Sequence, residues 1–187
     1  MELHRTHHNH LCLVALALLG TACGSSSLST APKLTIGMLG VFTAPTAVTG
    51  NNIPKSETFS MLAASATTAA GKSLAIYEGK ALSFAVVNRP QIILEYDLSK
   101  VSGETISSVS VLFDSSLTAT GKYNSAMTTT LTNATVTYAA PLVVTTTKAF
   151  RLDVNVDWEN TVNRDDAAKT ESLESPTLQL VLGDSGS

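Results

Sequence analysis

The sequence predicts an all-β domain, specifically an antiparallel β-sandwich of the Ig-like, Greek-key type. The first basis is that β-branched and aromatic residues alternate with polar ones in short runs from residue 33 onward. The second is that Gly, Asn, Asp, Ser or Pro separates these runs, as expected for turns between strands. Many short strands with little helix favour two packed antiparallel sheets over an α/β fold.

The strand pattern is clearest in residues 150–158. A period of two places the apolar even positions, from Phe150 to Trp158, on one buried face and leaves the polar odd positions in water. A second buried face is predicted from Ile92 to Leu98 through every other residue. Strands are predicted at residues 33–39, 74–77, 82–88, 91–98, 107–114, 134–139, 142–147, 149–158 and 176–182.

Residues 57–70 are ambiguous between helix and strand. Their alanines and Met61 suit a short helix, whereas the threonines and the lack of a clear apolar stripe do not. The sequence leaves both alternatives open here. The many threonines between Thr128 and Thr147 are most simply explained as exposed strand surface, where threonine is favoured.

Residues 1–22 have the organisation of a secretory signal. Arg5 precedes an apolar run over residues 11–19, and small residues follow before Cys23. This run of roughly ten apolar residues is shorter than the ~20 that a membrane-spanning helix needs. We expect the segment to be removed.

The residues at the expected cleavage site resemble the lipobox of bacterial lipoproteins, in the form Leu18-Leu19-Gly20-Thr21-Ala22-Cys23. The resemblance implies that Cys23 receives diacylglycerol and that the chain is held on a membrane through this N-terminal lipid. Residues 23–32 are rich in Gly and Ser, the composition of a flexible tether. By the same resemblance, Gly24 implies sorting to the outer membrane of a two-membrane bacterium. Residues 33–187 form the folded domain.

The positions of cysteine and histidine exclude several chemistries. The two cysteines are Cys12, inside the apolar run, and Cys23, and all four histidines precede residue 11. A chain cleaved before Cys23 and lipidated there has no disulfide and no free thiol. It cannot assemble a Ser-His-Asp triad, a Cys-His pair or a zinc site of imidazole or thiolate ligands. No cofactor is expected, and carboxylate chemistry stays open.

Acidic residues near the C-terminus supply the metal candidates. Residues 153–187 carry eight acidic side chains against two basic ones. Asp157, Glu159, Asp165 and Asp166 could offer oxygen ligands to calcium, although the chain lacks the Gly and Glu that an EF-hand loop requires. The simpler interpretation is a solvated acidic surface.

Net charge and one weak motif bear on other partners. The chain after residue 22 is mildly acidic and lacks a basic patch, which argues against nucleic acid. A permissive phosphate-loop pattern at residues 66–73 precedes a predicted strand instead of the required helix, so no nucleotide is expected. Glu95 and Asp97 meet the spacing of a glycosidase pair only trivially, because any two same-face strand neighbours do so.

These features predict a non-enzymatic binding or structural module of the cell envelope, with an envelope protein as its expected partner. The alternatives from other classes are a calcium-dependent or carbohydrate-binding adhesin module and a carboxylate-dependent hydrolase. The order of tether, first strand and late strands at 150–158 and 176–182 is faintly similar to bacterial lipoprotein sandwiches of unknown function. That resemblance implies a fold and carries no activity.

Overall fold

A computed structural model of the chain describes residues 31–41, 54–85, 91–158 and 161–183. In these ranges the backbone is almost wholly β-structure, with one 3-10 turn at Ser99–Val101 and no helix able to span a membrane. The predicted all-β fold is confirmed. The strands, in chain order, are β1 (Lys33–Val41), β2 (Ser56–Thr68), β3 (Ser73–Ala85), β4 (Gln91–Asp97), β5 (Thr105–Phe113), β6 (Ser116–Thr120), β7 (Ala126–Thr130), β8 (Thr135–Tyr138), β9 (Leu142–Val143), β10 (Ala149–Asp157), β11 (Val162–Asp165), β12 (Thr170–Leu173) and β13 (Thr177–Leu182).

Two sheets pack on either side of one apolar core. The first has the strand order β13-β10-β1-β4, and the second has β7-β6-β2-β5-β8 in line, with β3 beside β2 and β9 beside β5. Strands β11 and β12 form a separate hairpin. The pairs are antiparallel except β1 with β10, which run parallel. Phe59 of β2 meets Trp158, just after β10, with ring centroids 5.8 Å apart, so the core is continuous between the sheets.

The sandwich has two ends, each named here by a residue. At the Lys33 end, the backbone of Lys33 in β1 lies opposite Asp97 of β4 and Ala149 of β10. At the Trp158 end, Trp158 follows the last residue of β10 and packs near the start of β2. The β6–β7 turn belongs to the Trp158 end, because β6 pairs with the first residues of β2.

The ambiguous segment at 57–70 forms strand β2. Glu57 and Phe59 are buried before a β-bulge in the middle of the strand, and Ala64 and Ala66 are buried after it. The bulge shifts the buried positions from odd to even numbers, so the sequence shows no constant period of two. Pairing with β3 on one side and β5 on the other overrides the helix propensity of the alanines.

A second bulge corrects the predicted face of β4. Leu98 is fully buried as expected, but Ile92 is 61% exposed. The register of β4 against β1 skips Ile93, which turns Ile92 to the outer face. The prediction that Ile92 is buried is therefore wrong, because an extra residue in one strand leaves no mark in the local alternation.

Other strands differ in extent from the prediction. The predicted strands at 74–77 and 82–88 are one strand, β3, and residues 86–88 lie outside the described ranges. Strand β9 is shorter than the predicted 142–147. Strands β6, β7, β11 and β12 were not predicted, because they consist mainly of Ser, Thr, Ala and charged residues. Pairing with neighbouring strands holds them in place.

Candidate functional site

The structure describes three of the five residues that the sequence predicts as site residues. Cys23 and Glu159 lie outside the described residues. Asp157 is the exposed last residue of β10, whereas Asp165 and Asp166 lie at the tip of the β11–β12 hairpin. In the described ranges, no three or more His, Cys, Asp or Glu side chains are grouped so that they could hold a metal ion.

The carboxylates at the hairpin tip have partners in the protein. Asp165 accepts two backbone N–H groups of its own turn, at 2.9 and 3.0 Å, as Asp commonly does in turns. Asp166 accepts a hydrogen bond from the Tyr123 hydroxyl, and its Oδ1 lies 3.4 Å from Nζ of Lys122. The bond between Tyr123 and Asp166 is the main cause of a lowered pKa for Asp166 and a raised pKa for Tyr123.

A buried carboxylate joins the hairpin to the β6–β7 turn. Glu171 is inaccessible to solvent, and its Oε1 accepts a hydrogen bond from Nε of Arg164 at 2.8 Å. The backbone N–H groups of Lys122 and Tyr123 donate to the same carboxylate at 2.9 and 3.1 Å, and the Ser125 hydroxyl donates at 3.0 Å. Burial by itself would raise the pKa of Glu171, but these donors outweigh it and lower the pKa to about 2.

Sequence reasoning missed this junction. Arg164 and Glu171 are direct cross-strand partners in the hairpin, a pairing that could have been proposed had β11 and β12 been recognised. The contact with the β6–β7 turn had no local signal, since Ser125 and Glu171 lie 46 positions apart. The acidic residues of this region were expected to be solvated, which is wrong for Glu171.

The outer side of the hairpin forms a shallow concave surface, which we call the hairpin site. Its volume is about 410 Å³, and it is lined by Asn163, Arg164, Asp165, Thr170, Glu171 and Ser172. Arg164 is paired with the buried Glu171 and Lys122 with Asp166, and the exposed charged residues of the tip are Asp165, Asp166 and Lys169. Such a surface of mixed charge suits a polar partner.

One glutamate points into the core. Glu57 is 6% exposed and lies opposite Ala119, on the same face of β2 as Phe59. Desolvation raises its pKa to about 7. A carboxyl with such a pKa could serve as a general acid or base, but its burial leaves a substrate no direct access. In the sequence, Glu57 lies two positions before Phe59, so a strand at this place would put both side chains on one face.

The outer face of β10 holds a third buried acid, Asp153. Asp153 was expected in water with the other odd positions, but it is only 7% exposed. Arg151 donates from Nε to both of its carboxylate oxygens at 3.0 Å. The carboxylate occupies the space beside two glycines: a Cβ at Gly37 would lie 2.1 Å from Oδ1, and one at Gly183 would lie 2.2 Å from Oδ2. The glycines make room for the ion pair.

Comparisons with known proteins give no relative. No family model matches the chain, and no significant match is found among curated proteins or solved structures. Function must therefore be inferred from the N-terminal segment, the two ends of the sandwich and the chemistry of the hairpin site.

Proposed function

We propose that the chain is a bacterial envelope lipoprotein, anchored by lipid on Cys23, whose sandwich acts without catalysis as a binding or structural module. The observation that carries the proposal is the lipobox-like hexapeptide ending at Cys23, followed by a Gly/Ser-rich segment and a domain that begins at Lys33. Acyl chains contribute about 0.8 kcal/mol per buried CH₂, so a lipoprotein with more than one chain stays attached. The expected location is the outer membrane where the host has two membranes.

The hairpin site is the surface that we assign to the envelope partner. It lies at the Trp158 end, whereas the chain from the anchor enters at the Lys33 end. A domain tethered at one end presents the opposite end to other envelope proteins. The exposed Asp165, Asp166 and Lys169 would pair with opposite charges on a polar protein surface, since complementary charge raises association rates.

Intact mass of the protein extracted from membranes tests the anchor. We expect a mass that begins at Cys23 with added diacylglycerol, and we expect a Cys23→Ala control to lack the lipid and stay unprocessed. An unlipidated chain that retains residues 1–22 would contradict the proposal. It would also return Cys12 and the four histidines to the mature protein.

Crosslinking in intact envelopes tests the non-enzymatic role. We expect a protein partner to crosslink near the hairpin site and to be lost in an Asp165→Asn, Asp166→Asn variant, while a Glu78→Gln variant, altered at an exposed residue of β3, keeps it. Turnover by the purified protein, abolished by substitution of a single carboxylate, would overturn the role and favour a carboxylate-dependent hydrolase.

Calcium separates this proposal from a calcium-dependent adhesin. A ligand that binds only the native state raises the melting temperature. Because Asp165 already bonds its own turn and Asp166 bonds Tyr123 and Lys122, we expect calcium to leave the melting temperature unchanged. An increase with calcium that disappears in an Asp157→Ala, Asp165→Ala variant would favour the adhesin.

A further inference from the structure

Four segments of chain meet at the Lys33 end and form one continuous surface. Ala69, in the β2–β3 turn, donates a backbone hydrogen bond to Thr105, and Glu104 accepts one from Val144. On the other sheet, Leu98 donates to Pro32, immediately before β1. The loops around residues 69–72, 98–104 and 143–148 therefore surround the point at which the chain enters the domain.

Lysines are spread over this surface. Lys33 and Lys72 are about half exposed and lie 3.8 and 3.5 Å from carboxylates of Glu95 and Glu104. Lys100 and Lys148 are exposed as well, and in the described part of the chain neither has an ion-pair partner. Asp97 lies close enough to Lys100 for an electrostatic interaction, so in the described residues four lysines of this surface face three carboxylates, those of Glu95, Asp97 and Glu104. The surface therefore keeps a small excess of positive charge.

The Trp158 end has the opposite character. Its described cations are Lys55, Lys122, Arg164 and Lys169, and they are outnumbered by the carboxylates at the same end other than the core-facing Glu57, which are Asp114, Asp157, Asp165, Asp166, Glu171 and Glu174. Among the described residues, the Lys33 end is therefore the more positive of the two ends. An anionic surface would attract the Lys33 end and repel the Trp158 end.

Two exposed apolar side chains lie near Lys148. Val143 and Leu182 are each 54% exposed. Both line a groove of about 210 Å³ whose wall includes Lys148 and Phe150. Nζ of Lys148 lies 5.1 Å from the centroid of the Phe150 ring. Exposed apolar side chains beside a lysine suit the headgroup region of a bilayer, where the apolar groups meet the acyl chains and the ammonium stays in water.

The chain between the anchor and the domain limits how far this surface can be from the membrane. The segment from Gly24 to Ala31 contains eight residues, which even fully extended reach no more than about 30 Å. The segment ends at Pro32, in the middle of the lysine-bearing surface. The chain from Cys23 therefore joins the domain at this surface, and the tether is short enough to let this surface touch the lipid.

We propose that the Lys33 end of the sandwich rests on anionic phospholipid of the membrane that carries the Cys23 anchor, with Lys100 and Lys148 at the headgroups. This inference rests on the proposed function, because it requires lipid on Cys23. It adds an orientation: the domain lies against the bilayer, and the hairpin site faces away from it. The chemistry recognised is the phosphate of the headgroups, reached by lysine, with Val143 and Leu182 at the acyl boundary.

Amine-reactive labelling of the full lipidated chain tests the orientation. The protein is added to preformed vesicles of phosphatidylcholine alone or mixed with phosphatidylglycerol, and labelling of each lysine is measured by mass spectrometry. We expect labelling of Lys100 and Lys148 to fall about fivefold with phosphatidylglycerol, the preference that one lysine gains beside an anionic surface. Labelling of Lys55 and Lys122 should stay unchanged. High salt should restore labelling, because it screens exposed charges.

Charge reversal supplies the matched control. With phosphatidylglycerol we also expect labelling of Lys33 and Lys72 to fall, because they lie on the same surface. A Lys100→Glu, Lys148→Glu variant should lose this protection, while a Lys55→Glu, Lys122→Glu variant should keep it. Uniform labelling of all lysines, or protection of Lys122, would overturn the inference while leaving the anchor in place. An intact mass of the same sample without lipid would overturn both the inference and the proposed function.

Discussion

The pKa values of two buried glutamates are shifted in opposite directions. Glu57 faces the apolar core, where desolvation raises its pKa to about 7. Glu171 is also withdrawn from water, but a guanidinium, two backbone N–H groups and a hydroxyl surround it, and its pKa falls to about 2. The number of donors around the charged form decides the direction of the shift.

Glu57 should make the protein less stable as the pH rises. Its folded pKa lies above its ordinary value of 4.5, so the proton is held more tightly in the folded chain. The stabilisation is complete below about pH 4.5 and is lost as the pH passes about 7. Relative to a Glu57→Gln variant, we expect the native protein to lose up to about 3 kcal/mol of unfolding free energy across this interval.

Urea denaturation at about pH 5 and about pH 8 measures this difference. Glu78→Gln is the control, because Glu78 is an exposed glutamate on the strand next to β2. If native protein and Glu57→Gln show the same pH dependence, folding does not raise the pKa of Glu57 and the prediction is wrong.

Glu171 should contribute stability in the opposite pH range. Its lowered pKa means that the stabilisation is present above about pH 4.5 and disappears as the pH falls through about 2. Near neutral pH we expect Glu171→Ala to cost about 3–5 kcal/mol, because Arg164 is left buried without its carboxylate. Chemical denaturation measures the loss.

The matched control for Glu171 is Glu104→Ala. Glu104 pairs with Lys72 at the surface, and exposed pairs contribute no more than about 1 kcal/mol. Equal losses in the two variants would mean that the Arg164–Glu171 pair is solvated and does not join the hairpin to the β6–β7 turn.

At the scale of elements, β-bulges and one ion pair decide how neighbouring strands fit together. The ion pair is that of Arg151 and Asp153 on β10. The bulges in β2 and β4 change which side chains face the core. Parallel pairing of β1 with β10 sets Gly37 directly beside Asp153. The bulk of the Asp153 carboxylate therefore requires a residue without Cβ on the neighbouring strand.

A Gly37→Ala substitution should disturb this contact between strands. Its Cβ would lie 2.1 Å from Oδ1 of Asp153, so the carboxylate must move away from Arg151. We expect a loss of about 1–3 kcal/mol, the usual cost of overpacking. Adding Asp153→Ala should recover part of that loss, and a double-mutant cycle measures the coupling. Strictly additive effects would show that the two residues do not touch.

At the scale of the whole molecule, an aromatic cluster connects the two sheets. Phe59, Phe84 and Phe113 come from three strands of the larger sheet, and their ring centroids lie 5.9 to 6.4 Å apart. Trp158 reaches Phe59 from the other sheet. Separation of the sheets must therefore expose Trp158, which is fully buried in the folded protein.

Trp158 should report global unfolding. It is the only tryptophan of the chain, so its fluorescence needs no separation from other signals. We expect weak quenching by acrylamide in the folded protein and an unfolding transition by fluorescence that coincides with the transition by circular dichroism. A fluorescence change at lower denaturant concentration would mean that the Trp158 end opens before the sheets separate.

Much of the molecule followed from the sequence alone. Local alternation determined the β10 face from Phe150 to Trp158 and the all-β class, because a period of two is a property of neighbouring residues. Composition determined which catalytic side chains are missing after Cys23.

Only the tertiary structure decided which residues of β2 and β4 face the core. It also decided the burial of Glu57 and Asp153 and the contact of Glu171 with the β6–β7 turn. A bulge depends on the register of a partner strand, and a buried charge depends on donors supplied from elsewhere in the chain. Three of the donors to Glu171 lie on the β6–β7 turn, as many as 49 positions before it, a distance at which neither composition nor periodicity carries information.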